Sequence, residues 1–187
     1  MFKIILGVLV VAVVAITVFM VIDPKINVVS TNDNSNVTVL NDDDSDLSSS
    51  KYVITVEGEV AKEGSYGFAN VPTMADLITA AGGITSSADE RSYYSSSELT
   101  NGKTYFIASK YESNNVCSLT ELSKVNINTD NADTLLNVSG FTTSVANSVV
   151  SYRADKGQFN TIEDLLEVYG IGNATYRKVR NYVILHE

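Results

Sequence analysis

The sequence predicts a membrane-anchored protein with two small folded units, the first α+β and the second all-helical. Three observations predict this arrangement. An uncharged apolar segment, residues 4–22, stands near the amino end; strand and helix signals alternate over residues 51–110; and a helix, glycine turn, helix pattern occurs twice within residues 124–187, thirty residues apart. Residues 23–50 and 111–123 are the predicted connections.

The apolar segment has the length of a transmembrane helix. Residues 4–22 are interrupted only by the polar Thr17, and nineteen residues at 1.5 Å each give about 28 Å, enough to cross the hydrocarbon core. Lys3 precedes the segment and Asp23 follows it, so the positive-inside rule places residues 1–22 as a cytoplasmic stub and anchor, with the rest outside the cell. A cleaved signal peptide is the alternative, but no small-x-small site precedes the following proline.

Residues 23–50 predict a flexible acidic stalk, because they are rich in Asn, Asp and Ser and offer little apolar surface. The EF-hand spacing is absent from its aspartate run, so we expect no metal site. The net charge of the chain is −9, which is unusual for a protein that binds nucleic acid. Counted by segment, residues 124–187 carry only −1.

The first folded unit has the signals of strand, strand, helix and a late strand. Apolar residues alternate over residues 52–60, and a Glu-Gly turn signal precedes a second short strand. Thr73 with Asp76 predicts a capping box, and Gly82-Gly83 predicts the helix end. Asn101-Gly102 predicts a tight turn before a strand over residues 104–108.

This unit resembles the SLBB family, which implies a β-grasp-like fold for residues 51–110. The resemblance lies in the run Val56 to Val60, the Glu63-Gly64-Ser65-Tyr66 turn, the Ala80 to Thr85 stretch with its glycine pair, and residues 99–107. No cluster of polar residues indicates a ligand. A spacer or docking module therefore stands as the alternative to a binding domain.

The second folded unit contains an internal repeat. Val138-Ser139-Gly140-Phe141-Thr142 aligns with Val168-Tyr169-Gly170-Ile171-Gly172, and each copy lies between two predicted helices. Thr129 or Asp130 is expected to cap the first helix, Thr161 with Asp164 the third, and the others begin at Thr143 and Asn173. Apolar residues are expected on the buried faces: Leu135, Leu136, Val138, Val145, Ala146, Val149, Val150, Ile162, Leu165, Leu166, Val168, Tyr176, Val179 and Val183. The unit is thus predicted to be a pair of helix-hairpin-helix motifs.

The second glycine turn has the composition of a phosphate site. In Gly170-Ile171-Gly172 the isoleucine can enter the core, while the flanking glycines expose backbone N–H groups at the start of a helix. Arg177, Lys178 and Arg180 follow on that helix, where long basic side chains can reach neighbouring phosphates.

Three further stretches, together with the order of the parts, resemble the ComEA family, the membrane-bound DNA receptors of natural competence. The stretches are Val125 to Thr129, Tyr152-Arg153 before Lys156 to Phe159, and Ile162 to Leu165 before the second turn. The resemblance covers nearly the whole chain. It implies sequence-independent capture of double-stranded DNA outside the cell and delivery to an uptake channel, with competence pilus components as further partners and self-association on DNA left open.

Carried over by position, the resemblance implies a set of DNA-binding residues in the two turns and the helix after the second: Gly140, Phe141, Thr142, Thr143, Gly170, Ile171, Gly172, Asn173, Arg177 and Lys178. It also implies roles for Arg153 and Lys156. The first turn departs from the family's Pro-Gly-Ile-Gly pattern. Thr142 has a Cβ where glycine is expected, which predicts backbone held away from phosphate and greater affinity in the second hairpin.

The sequence predicts no catalytic activity and no cofactor. Nucleophilic or general-base chemistry needs a His or Cys with partners, and the chain has only His186 near its end and Cys117 in the predicted 111–123 linker. The main alternative to a DNA receptor is an interaction protein that binds a surface glycan or a protein partner. Salt-sensitive DNA binding distinguishes the two.

Overall fold

A computed structural model describes residues 37–38, 50–112 and 120–187. No helix within these ranges is long and apolar enough to cross a membrane. The predicted membrane span, residues 4–22, lies outside the described residues, as do most of the predicted stalk and Cys117.

The first unit is built on a four-stranded sheet. Its strands are β1 (Val37–Thr38), β2 (Tyr52–Gly58), β3 (Gly64–Phe68) and β4 (Thr104–Ile107). They lie in the order β1-β3-β2-β4. β3 is antiparallel to both β1 and β2, whereas β4 runs parallel to β2. We call residues 50–112 with β1 the sheet unit.

The strand prediction is confirmed for β2, where Ile54 and Val56 are fully buried on one face. β4 is confirmed as well, one residue shorter than predicted. β1 was not predicted: Val37 lies opposite Phe68 at the edge of the sheet.

Helix α1 (Met74–Ala80) begins and ends as its sequence predicts. The Thr73 amide donates to the Asp76 carboxylate at 2.8 Å, and the Asp76 amide donates to Thr73 Oγ1 at 3.3 Å. Such a cap contributes about 1 kcal/mol. The chain leaves the helix through Gly82 at φ +83°, a conformation that glycine adopts without strain. The helix buries Met74 and Leu77 against the sheet core.

The second unit, residues 120–187, is helical with one small sheet, and we call it the helical unit. Its elements are β5 (Val125–Asn126), α2 (Ala132–Leu135), α3 (Thr143–Lys156), a 3₁₀ helix (Ile162–Glu167), α4 (Asn173–Val179) and β6 (Val183–Ile184). β5 pairs in parallel with β6, so the two ends of the unit are hydrogen-bonded together. Val183 is buried as predicted, but in this strand and not in a helix.

The cap predicted for the first helix of this unit is wrong. Asn131 caps α2, and its Oδ1 accepts from the Thr134 amide at 2.9 Å. The Asp130 carboxylate instead accepts a hydrogen bond from the Asn126 amide at 2.7 Å. That turn sets the direction in which the chain enters the helix.

Two leucines predicted to be buried are exposed. Leu166 is 40% exposed because its segment is a 3₁₀ helix with three residues per turn, which places Ile162, Leu165 and Val168 on one face and Leu166 off it. Leu136 is 39% exposed at the end of the single-turn helix α2. The remaining predicted core residues are buried or half-buried.

The sheet unit and the helical unit share an interface. The Phe106 amide donates to Glu163 Oε1 at 2.8 Å, and the Ser109 amide donates to Asn181 Oδ1 at 2.7 Å. Ala108 of the sheet unit belongs to the core of the helical unit. These contacts fix the two units relative to one another.

Candidate nucleic-acid interface

The second hairpin is a tight turn that leads into α4. Gly170 has φ +90° and is exposed, whereas Ile171 is only 5% exposed, and its amide donates to the Val168 carbonyl at 3.0 Å. Gly172 is the N-cap, with extended φ −99°, and no side chain caps the helix there. The first amides of a helix have no intrahelical acceptor, so this turn leaves backbone donors for a ligand anion.

The first hairpin has the same backbone geometry. Gly140 has φ +131°, Phe141 is 7% exposed, and the Phe141 amide donates to the Val138 carbonyl at 3.1 Å. Thr142 is the N-cap of α3 with φ −99°, the same φ as Gly172. Both apolar residues in the middle of the turns are therefore buried in the core.

The expected effect of Thr142 on the backbone is wrong. The position requires an extended φ, which any residue adopts, so the Cβ causes no strain. The side chain has a different consequence. Thr142 Oγ1 accepts from the Val145 amide at 3.3 Å, so one donor of the first hairpin is used within the protein.

Both positive-φ glycines also make close packing contacts. A Cβ on Gly140 would lie 2.8 Å from Val179 Cγ1 on α4, and a Cβ on Gly170 would lie 3.3 Å from Val145 Cγ2 on α3. Each hairpin therefore packs against a helix of the other motif. A Cβ on Gly172 would meet nothing within 4 Å, so that position is open to solvent.

The three basic residues on and after α4 have different surroundings. Arg177 and Lys178 are exposed. The Lys178 Cδ lies 3.2 Å from the point that a Cβ on Gly140 would occupy, which places this lysine beside the first hairpin. Arg177 lines a cleft beside the second hairpin. The two predicted basic residues thus lie beside different hairpins.

Arg180 is not available to phosphate as the sequence suggested. Its Nη1 lies 3.0 Å from Glu57 Oε2, and its guanidinium lies 3.8 Å from the centroid of the Phe106 ring. It links the helical unit to the sheet unit. Arg153 is also structural, since it donates to the carbonyls of Ile127 and Asp130 at 2.9 and 2.6 Å.

The cleft beside the second hairpin lies between the two units and has a volume of about 530 Å³. Its lining comes from both: Glu57, Lys103, Thr104, Phe106, Glu163, Leu166, Glu167, Asn173, Tyr176, Arg177 and Arg180. Lys103 is an exposed cation that sequence reasoning missed. No sequence signal connects it to α4, because only the packing of the units brings them together.

Glu163 is a buried carboxyl at the base of this cleft. Burial raises the pKa of Glu163 to about 7, and hydrogen bonds from the Tyr176 hydroxyl and the Phe106 amide, both 2.8 Å long, offset that effect only in part. Burial and the Glu163 charge likewise raise the pKa of Tyr176. Glu163 therefore gains its proton close to neutral pH.

A second buried charge cluster joins the units on another side. Lys124 Nζ lies 2.9 Å from Asp89 Oδ2, with both side chains 2% exposed or less, and Asp89 also accepts from Arg91. The hydrogen bonds and charges of Arg91 and Lys124 outweigh burial and lower the pKa of Asp89 to about 2. Asp89 is therefore ionised at physiological pH.

Tyr169 and His186 lie in different surroundings. Tyr169, directly before the second hairpin's glycine, is 86% exposed. His186 stacks on Tyr94 at a centroid distance of 4.9 Å, and its Nε2 lies 3.1 Å from the Tyr93 carbonyl. The single histidine thus packs within the fold and faces no nucleophile in the described residues.

Two hairpins packed on each other's helices, each with a glycine turn opening a helix, define a helix-hairpin-helix protein. A family model for the helix-hairpin-helix motif matches residues 120–184. ComE operon protein 1 of Bacillus subtilis (strain 168) is 29% identical over 160 residues, which cover 81% of this chain and 78% of that protein. The family match and this similarity support an assignment of the chain to the ComEA family.

Two other similar proteins match only about 60 residues. An uncharacterized protein of Haemophilus influenzae is 42% identical over 62 residues, which cover 33% of this chain and 55% of that protein. Endonuclease/exonuclease/phosphatase family domain-containing protein 1 of Bos taurus is 40% identical over 60 residues, 32% of this chain. Because the match spans 10% of the bovine protein, the activity in its name is not carried over to this chain.

Proposed function

We propose that this chain binds double-stranded DNA without sequence preference, through the phosphates, at its two hairpins. The observation that carries the proposal is the uncapped turn Gly170 to Asn173 beside the exposed Arg177. Backbone donors at a helix start hold an anion, and a flanking guanidinium adds charge-assisted hydrogen bonds. Neither feature reads bases, so the binding is independent of sequence.

The first hairpin is the weaker half of the proposed site. Thr142 already accepts one of its amide donors, the Val145 N–H. The exposed hydroxyls of Thr142 and Thr143 and the ammonium of Lys178 supply donors there. The proposed DNA-binding set is Gly140, Phe141, Thr142, Thr143, Gly170, Ile171, Gly172, Asn173, Arg177 and Lys178, with Phe141 and Ile171 acting by anchoring the two turns in the core.

The proposed affinity is modest, because residues 124–187 carry a net charge of −1. We expect two to four phosphates to be neutralised, which corresponds to a slope of log K against log salt of about −2 to −4 and to dissociation constants roughly in the micromolar range. A receptor with this affinity binds more DNA when it is anchored at a surface where the local concentration of DNA is high.

We also propose that the chain is a receptor anchored in the cell membrane through residues 4–22, with the sheet and helical units outside the cell, and that it passes DNA to an uptake channel in competence. The similarity to ComE operon protein 1 over 81% of the chain and the apolar sequence of residues 4–22 support this proposal. For the sheet unit we propose an SLBB-type β-grasp domain, supported by its antiparallel hairpin, helix and parallel strand β4.

The test is an anisotropy titration of the full chain, in a non-ionic detergent, with two labelled duplexes of unrelated sequence. Equal, salt-sensitive binding to both is expected. Gly172→Asp, which places a carboxylate at the proposed anion site, and the double variant Arg177→Ala/Lys178→Ala should both weaken it. Lys62→Ala is the matched control, since Lys62 is exposed on the sheet unit and does not line the cleft beside the second hairpin.

Two outcomes would contradict the proposal. Strong preference for one duplex would mean that bases are read, which phosphate contacts do not do. No binding even at low salt would favour the alternative, a protein that docks a glycan or protein partner. Two observations support this alternative: the sheet unit is acidic, and the Val145 amide already donates to Thr142 within the protein.

A further inference from the structure

The cleft between the two units places a cation of the sheet unit beside the second hairpin. Lys103, just before β4, lines the same cleft as Asn173 and Arg177 of α4. Both Lys103 and Arg177 are exposed. A duplex held at Asn173 would therefore run past a positively charged group that lies outside the helix-hairpin-helix motifs.

The acidic residues of the cleft are engaged within the protein. Glu57 pairs with Arg180 at 3.0 Å. Glu163 is buried and accepts two hydrogen bonds. Glu167 accepts from the Tyr152 hydroxyl at 2.9 Å.

Lys103 is held only weakly by its own carboxylate partner. Its Nζ lies 3.9 Å from Glu167 Oε1, and the two side chains are 43% and 57% exposed. Ion pairs this long and this exposed contribute little, because water screens them. The ammonium can therefore exchange this partner for a phosphate at small cost.

The position of Lys103 relative to the hairpin is fixed. Its carbonyl accepts from the Thr55 amide at 3.1 Å, which holds it to the central strand of the sheet. Three residues later the Phe106 amide donates to Glu163, on the 3₁₀ helix that precedes the second hairpin. Because the backbone of Lys103 is already fixed, only its side chain has to be ordered when it contacts the DNA.

We propose that this cleft receives a backbone phosphate of bound double-stranded DNA between Lys103 and Arg177, so that the sheet unit forms part of the DNA-binding surface. The inference rests on the proposed function, because it places a second phosphate contact next to the hairpin site. It gives the sheet unit a role in DNA binding, where the sequence suggested only a spacer or a docking module.

Lys103→Ala in the full chain, titrated with a labelled duplex in non-ionic detergent, tests this. One phosphate contact contributes about 0.9 to the salt slope, so the variant should show a slope smaller by about 1 and binding about eightfold weaker at 0.1 M salt. Lys62→Ala is the matched control for loss of one positive charge, and its slope should equal that of the unchanged protein.

A second substitution in the same cleft should have the opposite effect on DNA binding. Glu167→Gln removes a negative charge from beside the proposed phosphate and frees Lys103, while the amide oxygen still accepts from Tyr152. Binding should tighten, by roughly twofold to fivefold. Glu98→Gln is the control, because Glu98 is also exposed and is absent from the cleft lining. Far-UV circular dichroism establishes that each variant is folded.

The outcomes separate the inference from the function on which it rests. If the unchanged protein binds DNA and Lys103→Ala behaves as Lys62→Ala does, the cleft proposal is overturned and hairpin binding stands. If Glu167→Gln binds no more tightly than Glu98→Gln, the phosphate does not lie in the cleft. If the unchanged protein binds no DNA at low salt, both proposals fail together.

Discussion

Replacing Glu163 by glutamine should change how the stability of the protein depends on pH. The carboxyl is buried, and its pKa is raised from 4.5 to about 7. The glutamine side chain keeps nearly the same shape, and its amide oxygen can still accept from the Phe106 amide. The substitution therefore removes the titration and leaves the packing.

The direction in which stability changes with pH follows from the raised pKa of Glu163. A carboxyl with a raised pKa binds its proton more tightly in the folded protein than in the unfolded chain, so its contribution to stability is fully present below pH 4.5 and is lost as the pH rises through about 7. At 1.36 kcal/mol per pKa unit, the loss across this window is about 3 kcal/mol. The variant should show no such loss.

Urea unfolding at several pH values measures the difference. The chain has no tryptophan, so far-UV circular dichroism is the suitable signal. The free energy of unfolding of the unchanged protein minus that of Glu163→Gln should fall by about 3 kcal/mol from pH 4.5 to pH 7.5 and stay level above it. The titration of Asp89, with its pKa of about 2, lies below this window.

Glu98→Gln is the control for loss of an exposed carboxylate. A pH-independent difference for Glu163→Gln would refute the reasoning. It would mean that Glu163 is ionised in the folded protein throughout the window and that its two hydrogen bonds compensate fully for burial.

Two further predictions concern the glycine turns and the buried ion pair. Gly140→Ala should lower the free energy of unfolding by about 2 kcal/mol or more, because φ is +131° and a Cβ would lie 2.8 Å from Val179. Gly172→Ala should leave stability within about 0.5 kcal/mol, because its φ is extended and a Cβ meets open space; equal losses in urea unfolding would contradict this contrast. Asp89→Asn should cost about 3 kcal/mol, since Lys124 is left buried without a carboxylate, and a loss below about 1 kcal/mol by the same assay would show that the pair is dispensable.

Much of the fold was predictable because its signals are local. The capping box of Thr73 and Asp76, the strand alternation around Ile54 and the turn glycines each depend on neighbours within a few residues. The repeat around Gly140 and Gly170 was readable for the same reason. These features set the hairpin geometry, so the candidate turns were found without a structure.

The rest depended on contacts between distant parts of the chain. The 3₁₀ form of the segment that exposes Leu166 has no clear sequence signal. Arg180 looked available until the sheet unit placed Glu57 against it. Lys103 entered the site through the same interface, and Glu163 accepts from the Phe106 amide across it. Tertiary packing decides each of these outcomes.

Amide chemical-shift mapping by NMR tests the central claim most directly. The isotope-labelled full chain, in detergent micelles, would be titrated with an unlabelled duplex at low salt. If the hairpins grip phosphate through their backbone, the largest shifts will fall on the amides of residues 140–145 and 170–175, with greater changes in the second range, and will disappear as salt is added. Shifts centred instead on α1, or none at saturating DNA, would contradict the account.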